Sequence, residues 1–147
     1  MTTKTFSKER PLEAYSMRSD RATSIKRLWA GRIVTGLAAL FMLVDGIMKI
    51  VKPAAVLDAN AKLGYPVATL SGIGLALITC TVIYVIPRTS IFGAILLTGY
   101  LGGAVASQVR AGSSWFELVF PILFAVLVWG GLWLRDHRLR SILKSTK

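Results

Sequence analysis

The chain has 147 residues, room for one domain, and 54% of them are hydrophobic against 17% charged, more apolar than the roughly 45–50% of an ordinary soluble domain. Its mean hydropathy is +0.59 and its net charge +11, but the Lys and Arg residues flank apolar runs instead of lining one amphipathic face, which argues against nucleic acid and for anionic lipid. A single cysteine, Cys80, and a single histidine, His137, exclude an internal disulfide and leave no ligand set for a haem or zinc site within the chain.

In chain order, residues 1–31 read as a basic, largely disordered cytoplasmic tail with a short helix approaching the membrane. Residues 32–134 carry four apolar segments, at about 33–50, 67–86, 90–109 and 118–134, and residues 135–147 form a second basic tail. The second and third segments hold no charged residue over 20 positions each. A helix of that length rises ~30 Å, the thickness of the hydrocarbon core, and backbone groups in lipid must be paired within the segment. The predicted fold is therefore all-α: a polytopic membrane protein, an antiparallel bundle of four transmembrane helices.

The connections refine this topology. Pro87-Arg88 allows only a tight turn, so the second and third spans are antiparallel neighbours. Arg110 to Glu117 joins spans three and four. The longer stretch from Val51 to Pro66 places Ala54, Ala55, Leu57, Ala61 and Leu63 at the spacing of a short amphipathic interfacial helix.

Orientation follows from the basic residues. Lys4, Lys8, Arg10, Arg18, Arg21, Lys26, Arg27, Arg32, Arg88 and the five after Leu134 fall on one side, fourteen in all, against Lys49, Lys52, Lys62 and Arg110 on the other. The positive-inside rule then puts both termini in the cytoplasm. Trp29, Tyr84 and Trp133 fall at the cytoplasmic boundary in this scheme, and Tyr65 and Trp115 at the outer one. Ala59-Asn60-Ala61 has the form of a signal-cleavage site, but Lys49, Lys52 and Asp58 would separate it from the apolar core, so the first span is expected to be retained.

Asp45 and Lys49 are the charged pair inside an apolar span, one turn apart on one helical face. Ionisable groups at such depth normally face a bundle interior or water. Asp45 and Lys49 thus mark either a polar pocket or a self-neutralising pair with Lys49 reaching to the interface. Gln108 and Arg110 lie toward the same side, and Tyr100, deep in the third span, needs a hydroxyl partner or a cavity. Asp45, Lys49, Tyr100, Gln108 and Arg110 are the candidate ligand-binding residues. Gly99, Gly103 and Ser107 make a small-xxx-small face, read as a helix-packing surface. Cys80 reads as a buried small apolar residue, and Pro121 as lying in the first turn of the last helix, where its missing N–H costs little. Ser-His-Asp sets, paired carboxylates, metal-ligand clusters and phosphate loops are all lacking, so no independent catalytic activity is expected.

The stretch from Val85-Ile86-Pro87-Arg88-Thr89 through Gly93-Ala94-Ile95-Leu96-Leu97-Thr98-Gly99-Tyr100-Leu101-Gly102-Gly103-Ala104-Val105-Ala106 resembles the DoxX-like membrane proteins. So do Asp45-Gly46-Ile47-Met48-Lys49, Leu63-Gly64-Tyr65-Pro66 and Trp129-Gly130-Gly131-Leu132-Trp133-Leu134-Arg135-Asp136. The resemblance covers about residues 32–143. It implies a four-helix bundle of the bacterial inner membrane, with quinone as the cofactor of members that serve redox systems. It also implies a membrane or soluble redox partner, or a homo-oligomer. Asp45, Lys49 and Arg110 match the pattern of relatives. Leu77 stands where relatives carry an acidic residue, and Ser107-Gln108 where they carry Thr-His. Glutamine hydrogen-bonds but does not exchange a proton near neutral pH, so a proton-coupled role of that position is not expected here. The leading expectation is a non-catalytic membrane subunit or binder of a lipid-like molecule. A quinone-linked redox subunit is the alternative, and a small-solute transporter the weaker one.

Overall fold

The computed structural model describes residues 10–135, with side chains from Ile25 onward. All its regular elements are helical: α1 (Arg10–Val51), α2 (Ala54–Lys62), α3 (Val67–Val85), α4 (Ser90–Arg110) and α5 (Trp115–Arg135). Four are long and apolar enough to cross a membrane, namely α3, α4, α5 and the Ile25–Val51 part of α1. Each of the four packs on two others, in the cyclic order α1, α3, α4, α5. This is the antiparallel bundle that the short connections demand. Large apolar side chains cover its outer surface, among them Leu37, Leu40 and Ile47 of α1, Leu75 and Val82 of α3, Phe92 and Ile95 of α4, and Leu123 and Val126 of α5. In water such a surface would aggregate. In a bilayer it meets acyl chains.

Two helix starts differ from the sequence expectation. The segment 10–31, expected to be largely disordered, is helical in α1. Pro11 suits a first helical turn, and extending a helix already nucleated in lipid is far cheaper than starting one. Residues 1–9, and the tail after Arg135, lie outside the described residues. The last helix begins at Trp115, not near Leu118. Ser114 and Glu117 form a capping box in which the Ser114 backbone N–H donates to Glu117 Oε2 at 2.9 Å, the S-x-x-E signal of a helix start. Pro121 is consequently inside the helix and not in its first turn. Having no N–H, it leaves the Glu117 carbonyl without its usual helical donor.

The core sits toward the end of the bundle where the Ile25–Val51 span of α1 begins and α5 ends. Tyr84, Ala94, Leu97, Val128 and Leu132 are fully enclosed there, with Met42, Leu77 and Leu101 above them. Tyr84 is not a membrane-belt residue: it is 0% exposed, and its hydroxyl donates to the Val128 carbonyl at 2.8 Å. Thr35 Oγ1 stands 3.4 Å from the same hydroxyl. Helices approach most closely at glycines. A Cβ on Gly74 would lie 2.6 Å from the Gly46 carbonyl, and one on Gly131 would lie 2.7 Å from Thr35 Oγ1. Among the described residues no buried side-chain nitrogen or oxygen lacks a hydrogen-bond partner.

Candidate functional site

Toward the other end the helices diverge around a cavity of about 760 Å³. Met42, Leu77 and Leu101 are both the top of the core and the floor of this space. Its roof is α2. Ala55, Val56, Ala59, Asn60 and Leu63 line the cavity, and their spacing puts them on one helical face. The walls are α1 with Phe41, Asp45 and Lys49, α4 from Gly99 to Gln108, and α5 from Phe116 to Phe124.

The Gly99, Gly103 and Ser107 face of α4 does not pack against a neighbouring helix. A Cβ added to Gly99 or Gly103 would meet nothing within 4 Å, and Gly99, Gly103 and Ser107 all line the cavity. The periodicity is real, but its consequence is space instead of a helix contact. Larger side chains at this face would fill the site.

Lys49 Nζ donates to Asp45 Oδ2 at 2.5 Å. The lysine side chain is only 15% exposed and the aspartate 39%. Lys49 therefore turns back into the bundle and does not reach out to the interface. Two of its three N–H groups remain for other acceptors. Tyr100 also faces the cavity, and its hydroxyl has no hydrogen-bond partner among the described residues. Gln108 lines the wall as well. Its Oε1 accepts from Ser113 Oγ at 2.5 Å, which leaves its amide N–H groups as donors. Four of the five residues expected to form a site thus meet in one cavity.

Arg110 does not join the lining. Its guanidinium donates to the Leu63 carbonyl at 2.8 Å, tying the α2–α3 connection to the end of α4. Its role is to hold the roof.

Other site residues were missed by reasoning from the sequence. Tyr65, read as an interfacial aromatic, lines the cavity and lies 2.5 Å from Ser107 Oγ. Ser107 donates its one hydroxyl proton to the Gly103 carbonyl at 2.8 Å, so Tyr65 is the donor in the pair. What aims Tyr65 is the end of α2. The Gly64 N–H donates to the Ala61 carbonyl and the Tyr65 N–H to the Asn60 carbonyl, and Gly64 has φ +76°. This is a Schellman stop, and its left-handed residue is why glycine precedes the tyrosine. Leu63-Gly64-Tyr65 carried that signal in plain view. Asn60 is buried, with its amide donating to the Val56 carbonyl at 2.7 Å. An aromatic cluster lines the α1–α5 side: Phe41 stacks on Phe124 at 4.4 Å between centroids and meets Phe120 edge-on at 5.4 Å.

The arrangement is a mostly apolar chamber with a few convergent polar groups, the usual composition of a small-molecule site. Against known families, the profile of the DoxX-like family matches residues 33–131, a stretch that includes all of the cavity lining. The chain belongs to the DoxX-like family. Searches of curated proteins and of solved structures returned no match. This DoxX-like chain is accordingly a multi-pass membrane protein whose site must be understood from its own residues. The family match leaves out the basic tails, so the roof, the floor and the Asp45–Lys49 pair all belong to the part that defines membership.

Proposed function

We propose that this DoxX-like protein is a non-catalytic component of the cell's inner membrane that holds a lipid-like small molecule inside its bundle, with both termini in the cytoplasm and the cavity near the outer leaflet. The observation that carries the reading is the cavity itself. Its volume of about 760 Å³ lies within the range of roughly 300–1,000 Å³ typical of small-molecule sites. The glycine face of α4 gives it depth, and hydrogen-bonding groups of Tyr100, Lys49 and Gln108 project where no partner among the described residues takes them up. The orientation rests on the fourteen-to-four division of basic residues, which favours loops of that charge on the cytoplasmic side.

The test is native mass spectrometry of the gently extracted protein. The expected result is an amphiphile of defined mass retained by the wild type and lost from Gly103→Leu, which fills the chamber without removing a polar group. A wild-type protein that emerges bare under conditions preserving its fold would refute the reading.

A quinone-linked redox subunit is the second reading, favoured by the free Tyr100 hydroxyl and the spare Lys49 donors beside an aromatic wall, the groups that ring carbonyls require. Quinone reduction unchanged in membranes of a deletion strain would remove it.

A further inference from the structure

Charge bookkeeping inside the cavity narrows the ligand. Three side chains of acidic or basic type line it: Asp45, Lys49 and Glu117. The first two neutralise each other at 2.5 Å. Glu117 is committed to the start of α5, where it accepts from the Ser114 backbone N–H at 2.9 Å and lies 3.1 Å from Ser114 Oγ, beside the positive end of the helix dipole. The one formal charge left over is that of Glu117, and it is committed to the helix start. A phosphate or carboxylate would have to share Lys49 with Asp45, and an ammonium would have to share Asp45 with Lys49 or draw Glu117 from Ser114. Each arrangement leaves a charge uncompensated in a low-dielectric setting, which is costly.

What remains free is uncharged hydrogen-bonding capacity. Tyr100, Lys49 and Gln108 have N–H or O–H groups to donate, while the second oxygen of Asp45 and the carbonyl of Glu117 released by Pro121 can accept. The way out of the cavity is apolar. Phe41, Phe116 and Phe120 line it yet are 42%, 77% and 40% exposed, so they form its mouth. Phe116 sits at the start of α5 and Phe41 ten residues before the end of α1, about 15 Å along the helix axis at 1.5 Å per residue. The mouth therefore runs from headgroup level down into the acyl region.

Building on the reading of the cavity as a lipid-like ligand site, we propose that its occupant is a single-chain amphiphile with an uncharged, oxygen-rich head. The head lies under α2 and is held by Tyr100. The tail leaves sideways between α1 and α5 into the bilayer.

The test is equilibrium binding of radiolabelled glyceryl monooleate to the purified full-length protein in uncharged detergent, with oleate and oleylamine as competitors of the same chain length. The expected result is that unlabelled glyceryl monooleate competes at a concentration at least tenfold lower than either charged analogue. Tyr100→Phe should weaken binding about three- to tenfold, the value of one hydrogen bond. Gly103→Leu should abolish it, and Gly72→Leu, at a glycine outside the cavity with open space around it, should leave it intact. A charged analogue that competes within tenfold, or a Tyr100→Phe variant that binds as wild type, overturns the uncharged-head assignment. If Gly103→Leu still blocks binding in those cases, the cavity reading survives. Equal binding by Gly103→Leu and Gly72→Leu overturns both.

Discussion

Gly93→Ala should be the most damaging single methyl group that can be added to this bundle. A Cβ at Gly93 would overlap the backbone nitrogen and Cα of Tyr84 deeply and lie 2.7 Å from the Tyr84 Cβ. These atoms belong to the last turn of α3 and cannot rotate aside as a side-chain tip can. Either α4 or the end of α3 must move by close to an ångström. Overpacking of this kind costs about 1–3 kcal/mol. The movement also unseats Tyr84, whose hydroxyl donates to the Val128 carbonyl at 2.8 Å in a fully buried setting, and breaking a buried hydrogen bond costs about 1–3 kcal/mol more. The expected loss is about 2–6 kcal/mol. Gly102→Ala is the control, because nothing lies within 4 Å of its added carbon; helix propensity alone predicts a gain of up to about 1 kcal/mol. Unfolding by dodecyl sulfate titration in mixed micelles, followed by far-ultraviolet circular dichroism, measures both. Values for the two variants within about 0.5 kcal/mol of each other, the scatter of neutral substitutions, would refute the packing derived for the α3–α4 turn.

Asp45→Ala strands the Lys49 ammonium in the cavity wall and should cost about 1–3 kcal/mol, whereas Asp45→Ala combined with Lys49→Ala should recover part of that loss, a positive coupling that a double-mutant cycle in the same micelles would read. Tyr65→Phe removes the donor to Ser107 and should lower stability by about 0.5–1.5 kcal/mol, with faster amide hydrogen exchange confined to residues 53–66; unchanged exchange there would deny the bond a role in holding the roof. Reporter tags at the two termini should both be found in the cytoplasm, and a cysteine placed at Asp58 of a Cys80→Ala protein should react with an impermeant thiol reagent added from outside. A tag at either end reporting from the outer side would overturn the orientation.

The spans were legible because, the Asp45–Lys49 pair aside, charge is absent from them and because a helix is the only open-ended chain conformation that lipid tolerates. Their ends were less so. Hydropathy places the start of α5 near Leu118, but the helix begins where Ser114 and Glu117 cap it, and a capping box is polar by nature. The same limitation hid the helical stretch from Arg10 to Arg32, where polar side chains conceal a backbone that simply continues. For the site, Asp45, Lys49, Tyr100 and Gln108 could be found because polar groups in an apolar run demand a reason. Arg110, expected in the site, ties the roof instead, and Tyr65, expected at the outer boundary, enters the cavity, since a position near the interface does not say what a side chain will meet. Periodicity shows that Gly99, Gly103 and Ser107 share a face. It does not show what that face meets.

Glycine has opposite consequences at the two ends of this bundle, and the contrast bears on how the site can exist at all. At the end where α5 finishes, Gly31, Gly93 and Gly131 let backbones touch, and the core around Tyr84 is closed. Near α2 the glycines of α4 meet nothing, and the chamber opens. Helices in lipid gain little from burying apolar surface against each other, because acyl chains are as apolar as leucine, so close packing and hydrogen bonds must hold the bundle. Those contacts are concentrated at the closed end, with the Gly46–Gly74 crossing as their outpost beside Lys49. The open end can then carry a chamber, and a roof tied by Arg110 and Tyr65, without its integrity depending on helix-to-helix contact across the space. A bundle packed uniformly along its length would have no such chamber, and one opened at both ends would have little to keep four apolar helices together.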